Sequence, residues 1–252
     1  MTCLQSLDLV GVFFPLTTGK PMSYIFEPAP IPTVAVANSD DRIPVRRIFC
    51  VGRNYAAHAR EMGKDPDRDP PFFFTKPADA VVMDGEVVAY PPGTDNFHYE
   101  AELVAVIGKG GRKIPEGDAL SHVWGYCVGN DLTRRDLQLQ AREQGRPWDF
   151  GKAFDRSAVI GPVHPATVLG HPTRGFIRLA VNGETRQEAD LAELIWSVPE
   201  IISILSHSIT LQPGDLVMTG TPAGVGSLVE GDRCTVAIER LGEITTVIGP
   251  RD

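Results

Sequence analysis

The sequence predicts an α+β fold built from many short β-strands and a few short helices. Apolar runs of strand length recur along the chain, separated by glycine, proline, asparagine or aspartate. The chain contains 25 Gly and 21 Pro, which favours frequent turns over a helical bundle. Strand and helix patterns do not alternate regularly, which argues against a doubly wound parallel sheet.

Composition excludes several classes of protein. Hydrophobic residues make up 42% and charged residues 22% of the 252 positions, which is ordinary for a globular domain and excludes a disordered chain or a fibre. No apolar run approaches the roughly 18 residues of a membrane span, so we expect no membrane partner. The net charge is −8 without a basic stripe, so we expect no nucleic acid partner.

The N-terminal sequence and the cysteines predict a cytoplasmic location. The apolar patch at 9–16 follows no basic region and is interrupted by Pro15, so it does not resemble a signal peptide. The cysteines at 3, 50, 127 and 234 are widely spaced and form no Cys-x-x-Cys pair. Such a pattern favours buried, reduced thiols over disulfides.

Three segments are expected along the chain. Residues 1–21 precede a second methionine, Met22, and we expect them to be an extension outside the core. Residues 22–45 contain four prolines and are expected to form an extended arm. Residues 46–252 contain no internal repeat or low-complexity tract and are expected to form one domain.

In the first half of that domain, residues 47–52 predict a short buried strand. A short helix is expected over 54–62, with Asn54 as a candidate N-cap because asparagine oxygens accept from the first free helix amides. Charges and three prolines predict an exposed loop over 63–71. Two apolar runs around an Asp-Gly pair predict a β-hairpin over 80–90.

Strand patterns dominate the second half. The predicted strands lie over 100–108, 123–132, 158–160, 177–181 and 216–219, with two closing strands within 233–247. The pair Asn182-Gly183 predicts a hairpin turn. Helices are expected over 133–144 and 191–205, and Pro199 should start or kink the second half of the latter.

Three acidic residues stand at the ends of predicted buried strands. Glu100 and Glu102 begin one apolar strand, and Asp131 ends another. Side chains at i and i+2 of a strand point to the same side, so the two glutamates converge. Converging carboxylates repel unless a cation neutralises them, and all-oxygen ligands suit Mg²⁺, Mn²⁺ or Ca²⁺. Solvated strand ends would give the same spacing, so both interpretations stay open on the pattern alone.

His58 and Glu61 are three residues apart and share one face of the predicted helix. A carboxylate beside an imidazole fixes its tautomer and raises its basicity, as a general base for water requires. An exposed helix that carries a surface histidine and glutamate also explains this spacing.

Basic and amide side chains follow Asp131. Arg135 and Gln138 share one face of a predicted helix, and arginine matches a substrate carboxylate bidentately. An ordinary charged helix surface is the alternative. Lys152 lies between glycine and apolar residues, and an inward ammonium there would stabilise a developing oxyanion or enolate.

A glycine-rich segment at 219–226 surrounds Thr221 and would let backbone amides approach a ligand. Its spacing is not Gly-x-Gly-x-x-Gly, and no Gly-Lys-Ser/Thr follows it. The chain also contains no Gly-x-Ser-x-Gly. These absences argue against a dinucleotide site, a P-loop and a nucleophile-elbow serine hydrolase.

Six segments together resemble one known family, the fumarylacetoacetate hydrolase family. They are Val51-Gly52-Arg53-Asn54-Tyr55 with His58 and Glu61, Phe74-Thr75-Lys76-Pro77, Tyr99-Glu100-Ala101-Glu102, Gly129-Asn130-Asp131-Leu132-Thr133 with Arg135 and Gln138, Gly151-Lys152-Ala153-Phe154-Asp155, and Gly220-Thr221-Pro222-Ala223-Gly224-Val225-Gly226. They occur in the family's order and cover about residues 46–248. The Gly-Arg-Asn-Tyr-x-x-His start and the compact length are most similar to fumarylpyruvate hydrolases and related acylpyruvases.

The resemblance implies a mixed β-sandwich or β-roll core of the family's C-terminal-domain type, a homodimer, and a divalent metal, with Mg²⁺ ahead of Mn²⁺ or Ca²⁺. It also implies a role for each candidate residue. The implied roles are Glu100, Glu102 and Asp131 as metal ligands, His58 and Glu61 as the water-activating pair on a lid helix, Lys152 as support for developing negative charge, and Arg135, Gln138 and Thr221 as contacts to the substrate.

The implied activity is metal-dependent hydrolysis of a carbon–carbon bond in an acylpyruvate, a small anionic 1,3-diketo acid. Fumarylpyruvate, split to fumarate and pyruvate in gentisate-type aromatic degradation, is the expected substrate. An oxaloacetate-type decarboxylase and a hydroxymuconate-type isomerase are the alternatives on the same fold. A catalytically silent metal-binding module is the alternative from another class, and the intact set of acids, His–Glu pair and lysine argues against it.

Overall fold

The protein, seen in a computed structural model, is described over residues 23–62 and 69–251. The described residues fall into two units, with the boundary between residues 30 and 31. Residues 23–30 of the first unit contain no helix or strand. The expected extension 1–21 and most of the expected loop 63–71 lie outside the described residues, so the segment boundaries given above remain predictions.

Within the described ranges the chain forms eighteen strands and six α-helices. The strands are β1 (Thr33–Ala35), β2 (Arg42–Pro44), β3 (Arg47–Val51), β4 (Phe73–Lys76), β5 (Val81–Met83), β6 (Val87–Tyr90), β7 (Phe97–Tyr99), β8 (Ala101–Ile107), β9 (Val123–Asp131), β10 (Thr133–Arg134), β11 (Ala158–Ile160), β12 (His164–Pro165), β13 (Phe176–Val181), β14 (Glu184–Asp190), β15 (Asp215–Met218), β16 (Gly226–Ser227), β17 (Arg233–Ile238) and β18 (Gly242–Arg251). The helices are α1 (Ala56–Glu61), α2 (Glu116–Ala119), α3 (Arg135–Glu143), α4 (Asp149–Lys152), α5 (Ala166–Leu169) and α6 (Val198–Ser208).

Two mixed sheets form the framework of the larger unit. The first has eight strands, with β4, β3, β15, β8, β9, β11 and β5 in order and β12 beside β9. The second has five, in the order β14, β13, β17, β18 and β6. Parallel pairs occur in both sheets, as between β15 and β3 and between β18 and β6, while most pairs are antiparallel. These sheets and the short helices confirm the predicted α+β class.

Strand β8 lies at the centre of the larger sheet, and all seven of its residues are buried. It pairs antiparallel with β9, which is buried at every position except Trp124. Such unbroken burial explains why both strands read as continuous apolar runs rather than alternating ones. The charged side chains of this strand pair, Glu102 and Asp131, lie at the same end of it.

The hairpin predicted over 80–90 is wrong. β5 pairs with β11 in the eight-stranded sheet, whereas β6 pairs with β18 in the five-stranded sheet. The Asp-Gly turn is therefore a crossover between two sheets, and Asp84 Oδ1 accepts a hydrogen bond from the Thr245 amide of β18 at 2.7 Å. An apolar run indicates a strand but carries no information about its distant partner.

The hairpin predicted at Asn182-Gly183 is confirmed, since β13 and β14 pair antiparallel around it. Asn182 has φ 53° and Gly183 has φ 83°. Both values lie in the left-handed region that a two-residue type I′ turn requires, and these are the residue types that adopt it at least cost.

The described cysteines agree with the expected reduced state. Cys50, Cys127 and Cys234 are free and buried, and burial raises the pKa of all three thiols. Cys3 lies outside the described residues. None of the helices in the described ranges has the length and apolar character needed to cross a membrane.

Candidate active site

The three predicted acids meet at the end of the β8–β9 pair. Glu100 precedes β8, Glu102 is its second residue, and Asp131 is the last residue of β9. The strand register places Glu102 opposite Gly129, and the Asp131 amide donates to the Glu100 carbonyl at 2.9 Å. One oxygen from each carboxylate lies within 4.8 Å of the other two, and all three residues are buried. The interpretation of solvated strand ends is therefore excluded.

The surrounding charges affect the two glutamates in opposite directions. Burial raises the pKa of Glu102 well above its usual range, and the negative charges of Asp131 and Glu100 raise it further. Burial also raises the pKa of Glu100, but the adjacent charges of Lys152 and Arg135 outweigh this effect and lower it. Glu102 is thus the member of the acidic triad that most lacks a counter-charge.

Lysine and arginine side chains surround the other two acids. Lys152 Nζ donates to Glu100 Oε2 at 2.8 Å, to Asp131 Oδ2 at 2.7 Å and to Thr133 Oγ1 at 2.7 Å. Arg135 pairs with the other oxygen of Glu100. Burial lowers the pKa of Lys152, but Asp131 and Glu100 raise it more, so the ammonium stays charged at neutral pH.

The donor set fits a hard divalent cation. Asp131 Oδ1 is buried and makes no hydrogen bond, although Lys76 Nζ lies 2.7 Å away in an ion pair of unsuitable angle. Glu102 remains electrostatically uncompensated, as its raised pKa indicates. A cation among three carboxylates would remove both deficits, and carboxylate-only coordination suits Mg²⁺, Mn²⁺ or Ca²⁺ rather than Zn²⁺.

A glycine brings a backbone amide to the triad. The Gly220 amide donates to Glu102 Oε2 at 2.6 Å. Gly220 has φ 101°, and a Cβ at this position would lie 2.7 Å from Asn54 Cβ. Only glycine fits here, which explains why a glycine precedes Thr221.

His58 and Glu61 form the predicted pair on α1. His58 is buried, and its Nδ1 lies 3.0 Å from Glu61 Oε2. The Gly224 amide donates to Glu61 Oε1 at 3.2 Å. Partial burial raises the pKa of Glu61, but the hydrogen bonds from His58 and Gly224 lower it overall, so Glu61 stays ionised. His58 is therefore not the surface histidine of the alternative interpretation.

Asn54 does not cap α1, contrary to the sequence prediction. The helix begins after Tyr55, without a side-chain cap. Asn54 is fully buried instead, where its Nδ2 donates to the carbonyls of Trp196 and Thr219 at 2.8 Å and its Oδ1 accepts from the Trp196 amide at 2.7 Å. Its amide thus ties α1 to the end of β15.

One cavity of about 210 Å³ joins these groups. Every predicted site residue lines it except Glu61 and Asp131, each of which contacts a lining residue. The lining side chains and glycine are Val51, Gly52, Arg53, His58, Met62, Phe72, Phe74, Glu100, Glu102, Arg135, Gln138, Arg142, Trp148, Lys152 and Thr221. The structure therefore brings together all nine predicted residues.

Two buried supporting residues were not predicted as part of the site. Lys76 faces Asp131, as described above, and also donates to the Leu132 carbonyl at 3.0 Å. Gln187 on β14 accepts from the Ala101 amide at 3.0 Å and donates to Thr221 Oγ1 at 2.8 Å. The Phe-Thr-Lys-Pro segment was a signal for Lys76, whereas Gln187 lies in a strand whose sequence reads as a solvent-facing edge.

The family model described as fumarylacetoacetate (FAA) hydrolase C-terminal matches residues 47–249. The chain belongs to the fumarylacetoacetate hydrolase family. The resemblance inferred from the six segments and the expected C-terminal-domain fold are thereby confirmed.

Similar members of the fumarylacetoacetate hydrolase family include fumarylpyruvate hydrolases and an oxaloacetate tautomerase. A fumarylpyruvate hydrolase of Ralstonia sp is 46% identical over 193 residues, which are 76% of this chain and 100% of the relative. The crystal structure of fumarylpyruvate hydrolase from Pseudomonas aeruginosa, in complex with Mn²⁺ and pyruvate, is 56% identical with a TM-score of 0.89, covering 91% of this chain and 100% of that one. Human mitochondrial oxaloacetate tautomerase is 40% identical over 200 residues, 79% of this chain and 90% of the relative.

Proposed function

We propose that this protein hydrolyses a carbon–carbon bond of an acylpyruvate, with fumarylpyruvate as substrate and fumarate and pyruvate as products. The observation that carries the proposal is that two groups of catalytic side chains meet at one cavity. The acidic triad suits a cation that binds a keto acid, and the His58–Glu61 pair suits the activation of water. The similarity to fumarylpyruvate hydrolases at 46% and 56% identity supports the choice of substrate.

A divalent cation held by Glu100, Glu102 and Asp131 would supply Lewis acidity toward the carboxylate and adjacent keto oxygen of a pyruvyl group. The protein's own contribution there is positive charge and fixed geometry. Lys152 is anchored by three acceptors and stays protonated, so it can balance negative charge that develops on the pyruvyl oxygen. Arg135, Gln138 and Thr221 line the same cavity, and we assign them the role of holding substrate oxygens.

His58 is proposed as the general base. Glu61 engages Nδ1, which leaves Nε2 as the nitrogen that takes a proton from water. The resulting hydroxide bonds to the distal carbonyl carbon of the substrate. The bond from that carbon to the methylene then breaks, and its electron pair stays on the methylene carbon as the enolate of pyruvate. The His58 imidazolium then gives its proton to this carbon, which completes pyruvate and returns His58 to its neutral form. The other fragment leaves as fumarate once its new carboxyl group has lost its proton to water.

Oxaloacetate chemistry is the second candidate, because the human tautomerase shares 40% identity with this chain. Tautomerisation or decarboxylation of oxaloacetate needs an enolate-stabilising site but no hydroxide nucleophile. The engaged His58–Glu61 pair at 3.0 Å favours hydrolysis, since a water-activating base is what hydrolysis adds. A hydroxymuconate-type isomerisation likewise needs no activated water, so it would give the His58–Glu61 pair no water to activate.

The decisive experiment follows the ultraviolet absorbance of fumarylpyruvate with Mg²⁺ or Mn²⁺, before and after addition of a chelator, and identifies the products. We expect cation-dependent formation of fumarate and pyruvate in equal amounts. Absence of turnover, together with conversion of oxaloacetate to CO₂ and pyruvate, would instead assign a decarboxylase. Interconversion of oxaloacetate tautomers without product release would assign a tautomerase.

Four finer assignments belong to the same proposal. Mg²⁺ as the cation in the cell is supported by the all-oxygen ligand set. A homodimer and a place in gentisate-type aromatic degradation are supported by the family resemblance. A cytoplasmic location is supported by the free thiols of the described cysteines. Metal analysis, light scattering, growth on aromatic substrates and cell fractionation test them in turn.

A further inference from the structure

Two arginines line the cavity but take no part in the chemistry proposed above. They are Arg53, which follows β3, and Arg142, near the end of α3. Within residues 23–62 and 69–251, neither guanidinium forms an ion pair or hydrogen bond with an acidic side chain. Arg135, by contrast, is engaged with Glu100 and Gln138. Arg53 and Arg142 are thus uncompensated positive charges in the wall of a cavity, in a chain whose net charge is −8.

Helix geometry places Arg142 on the cavity side, beyond the acidic triad. Arg135, Gln138 and Arg142 are spaced i, i+3 and i+7, so they share one face of α3, and all three line the cavity. Seven residues of helix advance about 10 Å along the axis. Arg142 therefore lies about two turns away from the arginine that contacts Glu100.

An aromatic wall, formed by Phe72, Phe74 and Trp148, connects the other arginine to the site. Lys152 Nζ lies 5.0 Å from the Phe74 ring, and the Phe74 and Trp148 rings are 5.9 Å apart. Trp148 packs edge-to-face on Phe72 at 5.4 Å, and the Arg53 guanidinium lies 5.3 Å from the Phe72 ring. Arg53 is thus at one end of the aromatic wall and Lys152, the neighbour of the triad, at the other.

We propose that Arg53 and Arg142 form a second anion subsite, which binds the distal carboxylate of a dicarboxylic acylpyruvate. An extended seven-carbon diacid separates its two carboxylates by about 7–8 Å, given carbon–carbon bonds of about 1.5 Å. This length fits a substrate whose pyruvyl end lies at the triad and whose unsaturated chain lies against the aromatic wall. Arginine suits the remaining carboxylate, which it can bind through two parallel hydrogen bonds.

The subsite rests on the proposed function, and it would make the enzyme specific for acylpyruvates that carry a second carboxylate. Binding energy that comes from a remote carboxylate is present in the ground state and in the transition state, so its loss raises KM more than it lowers kcat. A substrate without a distal carboxylate gains nothing from the two arginines. Acetylpyruvate, which carries a methyl group at that end, is therefore the matched probe.

The test compares kcat and KM for fumarylpyruvate and acetylpyruvate with Mn²⁺-loaded protein and the variants Arg142→Gln, Arg53→Gln and Arg142→Lys. We expect the ratio of kcat/KM for fumarylpyruvate over acetylpyruvate to fall by about 10- to 100-fold in each glutamine variant, as loss of a charge-assisted hydrogen bond predicts. Arg142→Lys should recover part of that ratio. Arg174→Gln, an exposed arginine outside the cavity lining, should leave it unchanged.

An unchanged ratio in both glutamine variants, or an equal loss for both substrates, would overturn the subsite. If the unmodified protein turns over neither acylpyruvate, the proposed function fails, and the subsite is then judged by calorimetric binding of fumarylpyruvate. Weaker binding in Arg142→Gln than in Arg174→Gln would support the subsite, and equal binding would refute it.

Discussion

The ammonium of Lys76 lies 2.7 Å from Oδ1 of Asp131, and neither side chain is exposed to solvent. Asp131 thus has lysines on two sides, because Lys152 Nζ lies 2.7 Å from its other oxygen. Burial lowers the pKa of Lys76, and the charge of Asp131 opposes that shift. Each lysine therefore helps to keep the buried Asp131 carboxylate ionised.

Substitution Lys76→Met should destabilise the protein mainly when no metal is bound. The change leaves a buried carboxylate with one counter-charge fewer, and such losses cost about 3–5 kcal/mol. Mn²⁺ at the triad replaces the missing charge and should recover part of this loss. Denaturant unfolding with chelator and with Mn²⁺ measures both values. Exposed Lys109→Met is the control, and an equal loss with and without Mn²⁺ would contradict the prediction.

Substitution Glu102→Gln should stabilise the chelated protein at high pH and abolish its stabilisation by Mn²⁺. The pKa of Glu102 is raised in the folded state, so the unfolded chain releases this proton at lower pH than the native protein does. The chelated protein therefore loses stability as pH rises above about 4.3, the ordinary pKa of glutamate. The variant lacks that dependence because its amide does not titrate.

Melting temperatures across pH, with chelator or with Mn²⁺, test this prediction. The control is Glu86→Gln. Glu86 forms an ion pair with Arg156, and both of these side chains are exposed. A Glu102→Gln protein that Mn²⁺ still stabilises as strongly as the unmodified protein would remove Glu102 from the ligand set.

Substitution His58→Ala should abolish hydrolysis while leaving the binding of Mn²⁺ intact. His58 contacts Glu61 rather than any of the three acids, and a positioned general base contributes about 10²- to 10⁴-fold to rate. Glu61→Gln should lower kcat with a smaller effect, since the imidazole remains. Calorimetric titration with Mn²⁺ and initial rates measure the two properties separately. Arg60→Gln, exposed on the same helix, serves as the control, and unchanged hydrolysis in His58→Ala would refute the assignment.

Removal of residues 1–21 should leave the melting temperature and kcat almost unchanged. The family match begins at residue 47, well beyond this segment, and the sequence favours an extension outside the core. Thermal unfolding of the shortened and full chains measures the difference. A drop of several degrees would show that the segment packs into the fold.

The sequence indicates which residues lie together at the cavity better than it indicates the connections of the sheets. The sequence indicates Glu100, Glu102 and Asp131 as site residues because acidic side chains are unusual at the ends of buried, apolar strands. The crossover at Asp84 was missed, because the choice between two partner sheets depends on β11 and β18, which are far along the chain. Strand partners are decided by tertiary packing, which a local pattern does not encode.

Supporting side chains were harder to predict than the groups they support. Asparagine is a residue type that often caps helices. The side-chain amide of Asn54 instead donates hydrogen bonds to two loops that are more than 140 residues from it in sequence. Gln187 lies among charged neighbours, and only the fold shows that it reaches the Ala101 amide. Polar residues of this kind look like surface until the partner segments are known.

The balance of charge around the triad has a thermodynamic consequence for how ligands add. With all groups ionised, the charges of Glu100, Glu102 and Asp131 cancel those of Lys76, Arg135 and Lys152. Under the proposed function, a divalent cation gives this centre a surplus of two positive charges, and the pyruvyl carboxylate of the substrate removes part of that surplus. We therefore expect the bound metal to increase the affinity for the substrate. Because such coupling is reciprocal, the bound substrate should increase the affinity for the metal by the same factor.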